Sequence, residues 1–136
     1  MNRAASVLIV DDAPAEAMLT REGFKEAGID AELHGETSAR EALDYLAKIA
    51  EDPTQVPDLI LLDINLPGPS GYDVLRFVKE DTRLARIPVI MFSSSESRSD
   101  VVRAEALNAD GYIGKPADFS GYVEVARLLE SYLPHR

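Results

Sequence analysis

The chain has 136 residues, which is typical of one domain, and it contains no cysteine, so disulfides, thiolate metal sites and a cysteine nucleophile are excluded. With 24 acidic and 14 basic residues its net charge is −10, and a surface of that sign disfavours direct binding to nucleic acids. The N-terminus lacks a signal-peptide layout, and no apolar run approaches the ~20 residues of a membrane span. We therefore expect a cytoplasmic protein that does not enter the membrane.

The first half of the chain alternates short apolar runs with helical patterns. Residues 7–10 form a continuous apolar run, which is typical of a strand buried on both faces. A helix is then expected from Pro14 to a stop at Gly28. A weaker strand follows at residues 31–34, and a capping box of Ser38 and Glu41 opens the second helix.

The second half repeats the same order. Loop residues 51–57 lead into a second continuous apolar run at 59–62, and a third follows at 89–92. Capping pairs and a capping aspartate mark the starts of three helices, and the last of these helices is expected over residues 119–133. The capping residues and the remaining strand are Ser70 with Asp73, Ser97 with Asp100, strand 111–114 and Asp118.

Five strands alternating with five helices predict an α/β fold with a doubly wound, five-stranded parallel sheet, and residues 1–136 are expected to form this single domain. Ligands of such folds bind beyond the carboxyl ends of the strands. The residues placed at those ends by the sequence are Asp11, Asp12, Asp63, Ser93, Ser94 and Lys115.

Three carboxylates at one edge repel one another by about 4 kcal/mol per pair at about 4 Å. Raised pKa values or a bound cation must compensate, and Mg²⁺ fits a small, open acidic cleft. Lys115 and the Ser93 hydroxyl suit a phosphoryl ligand. Asp63, at the end of what should be a central strand, is the best candidate to accept a phosphoryl group as an acyl phosphate.

Each of these residues has a structural alternative. Asp12 or Asp63 could cap a helix or loop, Ser93 could belong to a turn, and Lys115 could be a solvated cation. The joint occurrence of all of them at separate strand ends favours the site. We interpret His34 and His135 as surface residues, because neither has the partner spacing of a metal site.

Four segments carry a resemblance to a known family. They are LIVDD at 8–12, LLDINLPGPSG at 61–71, IPVIMFS at 87–93 and GYIGKP at 111–116. In this order and at these separations they resemble a response-regulator receiver domain of the flavodoxin-like fold. The resemblance covers essentially the whole chain and implies a stand-alone response regulator of a two-component system without an output domain.

The resemblance also implies a role for each matching residue. Asp63 would accept the phosphoryl group from a sensor kinase phosphohistidine, Lys115 would pair with a phosphoryl oxygen, and Ser93 and Tyr112 would form the coupled switch. Ligands to Mg²⁺ would be Asp11, Asp12, Asp63 and the backbone carbonyl of Asn65. The bond before Pro116 would be cis. Ser93 stands where many members carry threonine, so the switch methyl is missing.

A finer resemblance concerns the extended second helix with its loop, residues 81–88 and the serine run at 93–95. These look like single-domain regulators that partner phytochrome-type histidine kinases. Some relatives dimerise through the fourth helix, fifth strand and fifth helix. Apolar residues in excess of one buried stripe favour a dimer here too, and they are Tyr122, Leu128, Leu129, Tyr132 and Leu133.

Other function classes fit less well. An aspartyl-nucleophile phosphatase commonly needs a second acid at position 65, where this chain has Asn65. A nucleotide or flavin module would need a G-x-G-x-x-G or Walker loop, which is missing. A degenerate receiver is disfavoured by the intact acidic pair and lysine. The sequence leaves open whether the protein acts on a downstream partner, relays phosphoryl groups or serves as a phosphate sink.

Overall fold

Five parallel strands form one sheet in the computed structural model, which describes residues 4–134. The strands are β1 (Ala5–Val10), β2 (Ala31–Glu36), β3 (Leu59–Leu62), β4 (Val89–Ser93) and β5 (Gly111–Gly114), in the spatial order β2-β1-β3-β4-β5. The helices are α1 (Pro14–Glu26), α2 (Ala39–Ile49), α3 (Gly71–Glu80), α4 (Arg98–Ala106) and α5 (Phe119–Leu129). The predicted doubly wound fold is confirmed.

Two apolar cores cover the two faces of the sheet. Successive side chains of a strand point to opposite faces, so Val7 and Ile9 of β1 enter one core while Leu8 and Val10 enter the other. Residues of α1 and α5 complete the first core, and residues of α2, α3 and α4 complete the second. Burial on both faces explains why β1, β3 and β4 are continuous apolar runs.

The predicted helix signals lie at the observed helix ends. Pro14 is the first residue of α1, and Gly28, with φ +75°, lies just beyond that helix in the left-handed region that glycine adopts without strain. Ser38 and Ser97 accept hydrogen bonds from backbone N–H groups of α2 and α4, and Asp118 does so for α5. Local capping therefore marks where α2, α4 and α5 begin.

Several predicted boundaries were wrong in detail: β1 begins at Ala5 instead of residue 7, and β4 includes Ser93. β2 extends to Glu36, because its backbone pairs with β1 as far as Val10. α5 ends at Leu129 and continues as a 3₁₀ turn over Glu130–Tyr132, a tightening that is common where a helix ends. The predicted loop at 51–57 also contains a 3₁₀ turn, Pro53–Gln55.

His34 lies at the surface of the edge strand β2, as predicted. Its side chain is 47% exposed, its ring stacks on Tyr45 with centroids 4.2 Å apart, and Nε2 lies 2.6 Å from the Glu36 carboxylate. The prediction for His135 lies outside the described residues.

The prediction of a cis bond before Pro116 was wrong: within residues 4–134 no peptide bond is cis. The free-energy difference between trans and cis is small for a peptide bond before proline, but trans remains favoured by about 0.5–1 kcal/mol.

Within residues 4–134 no helix is both long and apolar enough to cross a membrane.

Candidate phosphoryl-acceptor site

The strand order reverses between β1 and β3, and this is where the acidic residues gather. Asp11 follows β1 directly and Asp63 follows β3, its paired neighbour. The carboxyl ends of these strands share one edge of the sheet, so both side chains point into the same crevice. Both are largely buried, with side chains only 4% and 9% exposed.

Lys115 reaches this crevice from the end of β5. Its backbone N–H donates to the Ser93 carbonyl at 2.9 Å, which continues the pairing of β4 with β5. Its Nζ lies 2.9 Å from Asp11 Oδ2 and 2.8 Å from Asp63 Oδ2. The structure therefore brings together three of the residues predicted from separate strand ends.

Glu16 is the site residue that the sequence reading missed. Its Oε1 lies 2.6 Å from Lys115 Nζ, and carboxylate oxygens of Asp11, Glu16 and Asp63 all lie within 4.8 Å of one another. Glu16 occupies the first turn of α1, where an acidic residue is ordinarily explained by the helix dipole. One signal in the sequence could have identified Glu16: it lies in the first turn of the helix that begins just after Asp11 and Asp12.

Electrostatics at the site couple the lysine to its acidic neighbours. Burial alone would lower the pKa of Lys115, but its hydrogen bonds to Asp63, Glu16 and Asp11 raise that pKa above its ordinary value. Burial raises the pKa of Asp11, although a hydrogen bond from the Ala13 backbone and the contact with Lys115 oppose the rise. One ammonium thus faces three carboxyl groups, so the oxygen donors suit a hard divalent cation.

Two other predicted site residues lie at the rim. Asp12 is exposed and stands outside the acidic group formed by Asp11, Glu16 and Asp63. Asn65 is also exposed, and its backbone N–H donates to Asp63 Oδ1 at 3.3 Å. The backbone of Asn65 is therefore next to the Asp63 carboxylate, while the roles of Asp12 and of the Asn65 carbonyl stay predictions.

The predicted switch pair lies beside this site. Ser93 ends β4 with none of its surface exposed, and its Oγ accepts a hydrogen bond from the Ser95 backbone at 3.3 Å; Ser94 is exposed. The Tyr112 hydroxyl donates to the Ser95 carbonyl at 2.5 Å. Burial raises the pKa of the Tyr112 phenol, and hydrogen bonds with Ser95 and Ser93 oppose the rise. Both hydroxyl groups therefore meet at the β4–α4 loop.

A second hydrogen-bonded network on this loop escaped the sequence reading. Tyr72, at the start of α3, donates to Asp100 of α4 at 2.5 Å, and Ser95 donates to the same carboxylate at 2.5 Å. Arg103 lies over the Tyr72 ring, 4.1 Å from its centroid. Gly71 packs so closely on the Asp63 carbonyl that a Cβ there would be 2.0 Å from it. These contacts connect the acidic crevice to α4.

Comparisons with known proteins agree with this geometry. The family model described as the response regulator receiver domain matches residues 7–127. The response regulator Rcp1 of Synechocystis sp. is 32% identical over 127 residues, which covers 93% of this chain and 86% of Rcp1.

Solved structures give the same relationship. The phosphorylated cyanobacterial phytochrome response regulator RcpA matches with a TM-score of 0.85 and 31% identity, and the match covers 98% of this chain and 100% of RcpA. The Mn²⁺-bound form of Rcp1 has a TM-score of 0.82 and 30% identity, covering 96% of this chain and 99% of that one. This chain belongs to the family of response regulator receiver domains, which are phospho-acceptors of two-component signalling and not classical enzymes.

Proposed function

We propose that Asp63 is the residue that accepts a phosphoryl group from the phosphohistidine of a sensor histidine kinase. The observation that carries this assignment is the 2.8 Å contact between Asp63 Oδ2 and Lys115 Nζ, at the reversal point of the sheet and next to Asp11. A carboxylate in this position has a cation beside it and a second acidic side chain for a metal.

The proposed transfer is a substitution at phosphorus. A carboxylate oxygen of Asp63 forms the new P–O bond, the P–N bond to the kinase histidine breaks, and the departing imidazole takes up a proton. Lys115 neutralises charge on the phosphoryl oxygens, and backbone N–H groups such as that of Asn65 add donors. Catalysis of this kind depends on positioning and charge, not on an acid or base.

The donor set also fits Mg²⁺, which prefers oxygen ligands and binds through only a few carboxylates. The residues that would hold it are Asp11, Asp12, Asp63 and the backbone carbonyl of Asn65. When bound, a divalent cation supplies charge neutralisation to the phosphoryl group. The relative Rcp1 has been solved in an Mn²⁺-bound form, which supports binding of a divalent cation by this chain as well.

Phosphorylation would act on the switch through the Ser93 hydroxyl, which can donate to a phosphoryl oxygen on Asp63. Its present partner, the backbone of Ser95, lies in the same loop that holds the Tyr112 hydroxyl. Movement of Ser93 would therefore change the hydrogen bonds of this loop and with them the preferred orientation of the Tyr112 side chain. A reoriented Tyr112 would remodel the face formed by α4, β5 and α5.

The assignment of Asp63 is tested with Asp63→Asn, which keeps the size of the side chain and removes the nucleophilic carboxylate. Purified protein is incubated with acetyl phosphate and Mg²⁺, and intact mass is followed with time. Wild type should gain one phosphoryl group and Asp63→Asn none. Asp44→Asn, at an exposed position of α2, is the matched control and should behave as wild type. Uptake by Asp63→Asn at the wild-type rate would refute the assignment.

We propose a phytochrome-type histidine kinase as the partner, since the structural relative RcpA is a phytochrome response regulator. A phosphotransfer profile against the histidine kinases of the source cell tests this. Fast transfer should be confined to a kinase of the phytochrome type, and preferential transfer from another kinase would contradict the proposal.

We propose further that α4, β5 and α5 form the interface of a homodimer. Of the five residues predicted for this surface, Tyr122, Leu129 and Leu133 are buried within the fold, but Leu128 is 62% exposed and Tyr132 is 38% exposed. Val102 of α4 adds a third exposed apolar side chain. Sedimentation of wild type and Leu128→Glu tests the dimer, and a wild type that stays monomeric at all concentrations would refute it.

A further inference from the structure

The phosphoryl-transfer role described above gives Glu16 no task, although Glu16 makes the shortest of the three contacts to Lys115. Its oxygen lies 2.6 Å from Nζ, against 2.8 Å for Asp63 and 2.9 Å for Asp11. A lysine ammonium has three N–H donors, and these three carboxylates use all of them. Once Asp63 is phosphorylated, its own contact to the ammonium passes to the phosphoryl oxygens, which must then share Lys115 with Glu16 and Asp11.

The three partners differ in how easily they can leave. Asp63 carries the phosphoryl group itself, and Asp11 is buried with Oδ1 held by the Ala13 backbone at 2.9 Å. The Glu16 side chain is 37% exposed, so its carboxylate can turn into water at little desolvation cost. Glu16 is therefore the partner that gives way.

The backbone around Glu16 can stay in place while the side chain moves. The Glu16 carbonyl accepts a hydrogen bond from the Thr20 hydroxyl at 3.0 Å, and α1 is held against α5 where Gly23 lies too close to Tyr122 for any side chain. A change of partner at Lys115 thus needs only a rotamer change at position 16.

We propose that Glu16 is a positioning residue that holds Lys115 in the unphosphorylated protein and competes with the phosphoryl group for this lysine. This inference rests on the proposed role of Asp63. The same negative charge also draws a divalent cation to the site. Glu16 thereby makes the metal bind more tightly and makes the lysine less available to the phosphoryl group.

Removing the charge of Glu16 should therefore speed phosphorylation and weaken Mg²⁺ binding. A variant that only damages the fold would impair both, so one variant distinguishes the two cases. In Glu16→Gln the ion pair with Lys115 is replaced by a weaker contact to a neutral amide oxygen, and phosphorylation by acetyl phosphate at saturating Mg²⁺ should be about fivefold faster, the gain expected from losing a partly exposed ion pair. Calorimetric titration with Mg²⁺ alone should show about three- to tenfold weaker binding.

Two further variants sharpen the test. Glu22→Gln makes the same charge change at an exposed position of α1 and should alter neither measurement by more than about twofold. Glu16→Asp keeps the charge but shortens the side chain by one methylene, which draws the carboxylate back from the 2.6 Å contact with Lys115. It should phosphorylate as fast as Glu16→Gln while binding Mg²⁺ within about twofold of wild type.

An unchanged or slower rate for Glu16→Gln at saturating Mg²⁺ overturns the role of Glu16, provided that wild type is phosphorylated in the same assay. Unchanged Mg²⁺ binding in Glu16→Gln overturns it as well. A wild type that takes up no phosphoryl group points instead to failure of the function proposed for Asp63.

Discussion

Two lysines at opposite edges of the sheet have contrasting surroundings. Lys79, at the end of α3, donates to the backbone carbonyls of Ala85 and Ile87 and to the Asp110 carboxylate, at 3.3, 2.9 and 2.8 Å. Asp110 in turn accepts a hydrogen bond from the Val89 backbone at 2.8 Å, at the beginning of β4. One cation faces one anion, and the remaining donors meet neutral groups.

Lys115, at the carboxyl edge, faces three carboxylates and no neutral acceptor among its side-chain contacts within the described residues. The carboxyl edge therefore holds excess negative charge around Lys115 inside a largely buried crevice, and the surroundings of Lys79 do not. The contrast teaches that a matched, partly exposed pair serves stability, while the unmatched group is the one to which we assign ligands, a cation and a phosphoryl group in the function proposed above.

The largest expected difference is in activity. Lys115→Met should slow phosphoryl uptake from acetyl phosphate by about 100- to 1,000-fold, because it removes the positive charge that stabilises the phosphoryl oxygens in the transition state. Lys79→Met should leave that rate within about twofold but lower the free energy of unfolding by about 2 kcal/mol. Intact-mass kinetics and urea unfolding measure the two. Equal slowing in both variants would break the comparison.

The same substitution at two aspartates should have opposite effects on stability. Asp63→Asn should raise the free energy of unfolding by about 1 kcal/mol without divalent cations, because it relieves repulsion among carboxylates. Asp110→Asn should lower that free energy by about 1–2 kcal/mol, because it weakens a satisfied ion pair. Urea unfolding in a chelating buffer checks both signs. Destabilisation by Asp63→Asn would mean that the crevice is not strained by charge.

Binding of Mg²⁺ should stabilise only those variants that keep the excess negative charge around Lys115. At free Mg²⁺ ten times its dissociation constant, wild type should gain about 1.4 kcal/mol of unfolding free energy. Lys79→Met should gain the same amount, and Asp63→Asn clearly less. Thermal unfolding with Mg²⁺ and with a chelator measures the increments. An equal gain in Asp63→Asn would place the cation elsewhere.

The smallest effect extends the comparison to Asp100, a satisfied carboxylate near the site. Hydrogen bonds from Ser95 and Tyr72 hold the pKa of Asp100 below its ordinary value. Its stabilisation is therefore present above about pH 4 and is lost as the pH falls through the lowered pKa. Asp100→Asn should cost under about 1 kcal/mol at neutral pH, since the group is partly exposed.

Urea unfolding from pH 6 to pH 3 should show that difference shrinking as the pH falls, with the exposed Asp44→Asn as the control. A difference that stays constant with pH would show that Asp100 contributes through packing instead of charge.

Local signals in the sequence were sufficient for most of the fold. The apolar runs at β1, β3 and β4, Pro14 and Gly28 around α1, and the capping serines all depend on residues close in the chain. The ends of β2 and α5 were misjudged, because pairing with β1 and the tightening of the last turn depend on neighbours that no local pattern reveals.

For the site, the sequence determined which polar residues follow the strands, because parallel strands place their carboxyl ends at one edge whatever the loops do. That is why Asp11, Asp63 and Lys115 could be grouped in advance. Only the tertiary structure decided that Glu16 joins them while Asp12 points to solvent. Which face of a helix turns towards the crevice depends on how α1 packs against α5, through contacts between residues distant in the chain.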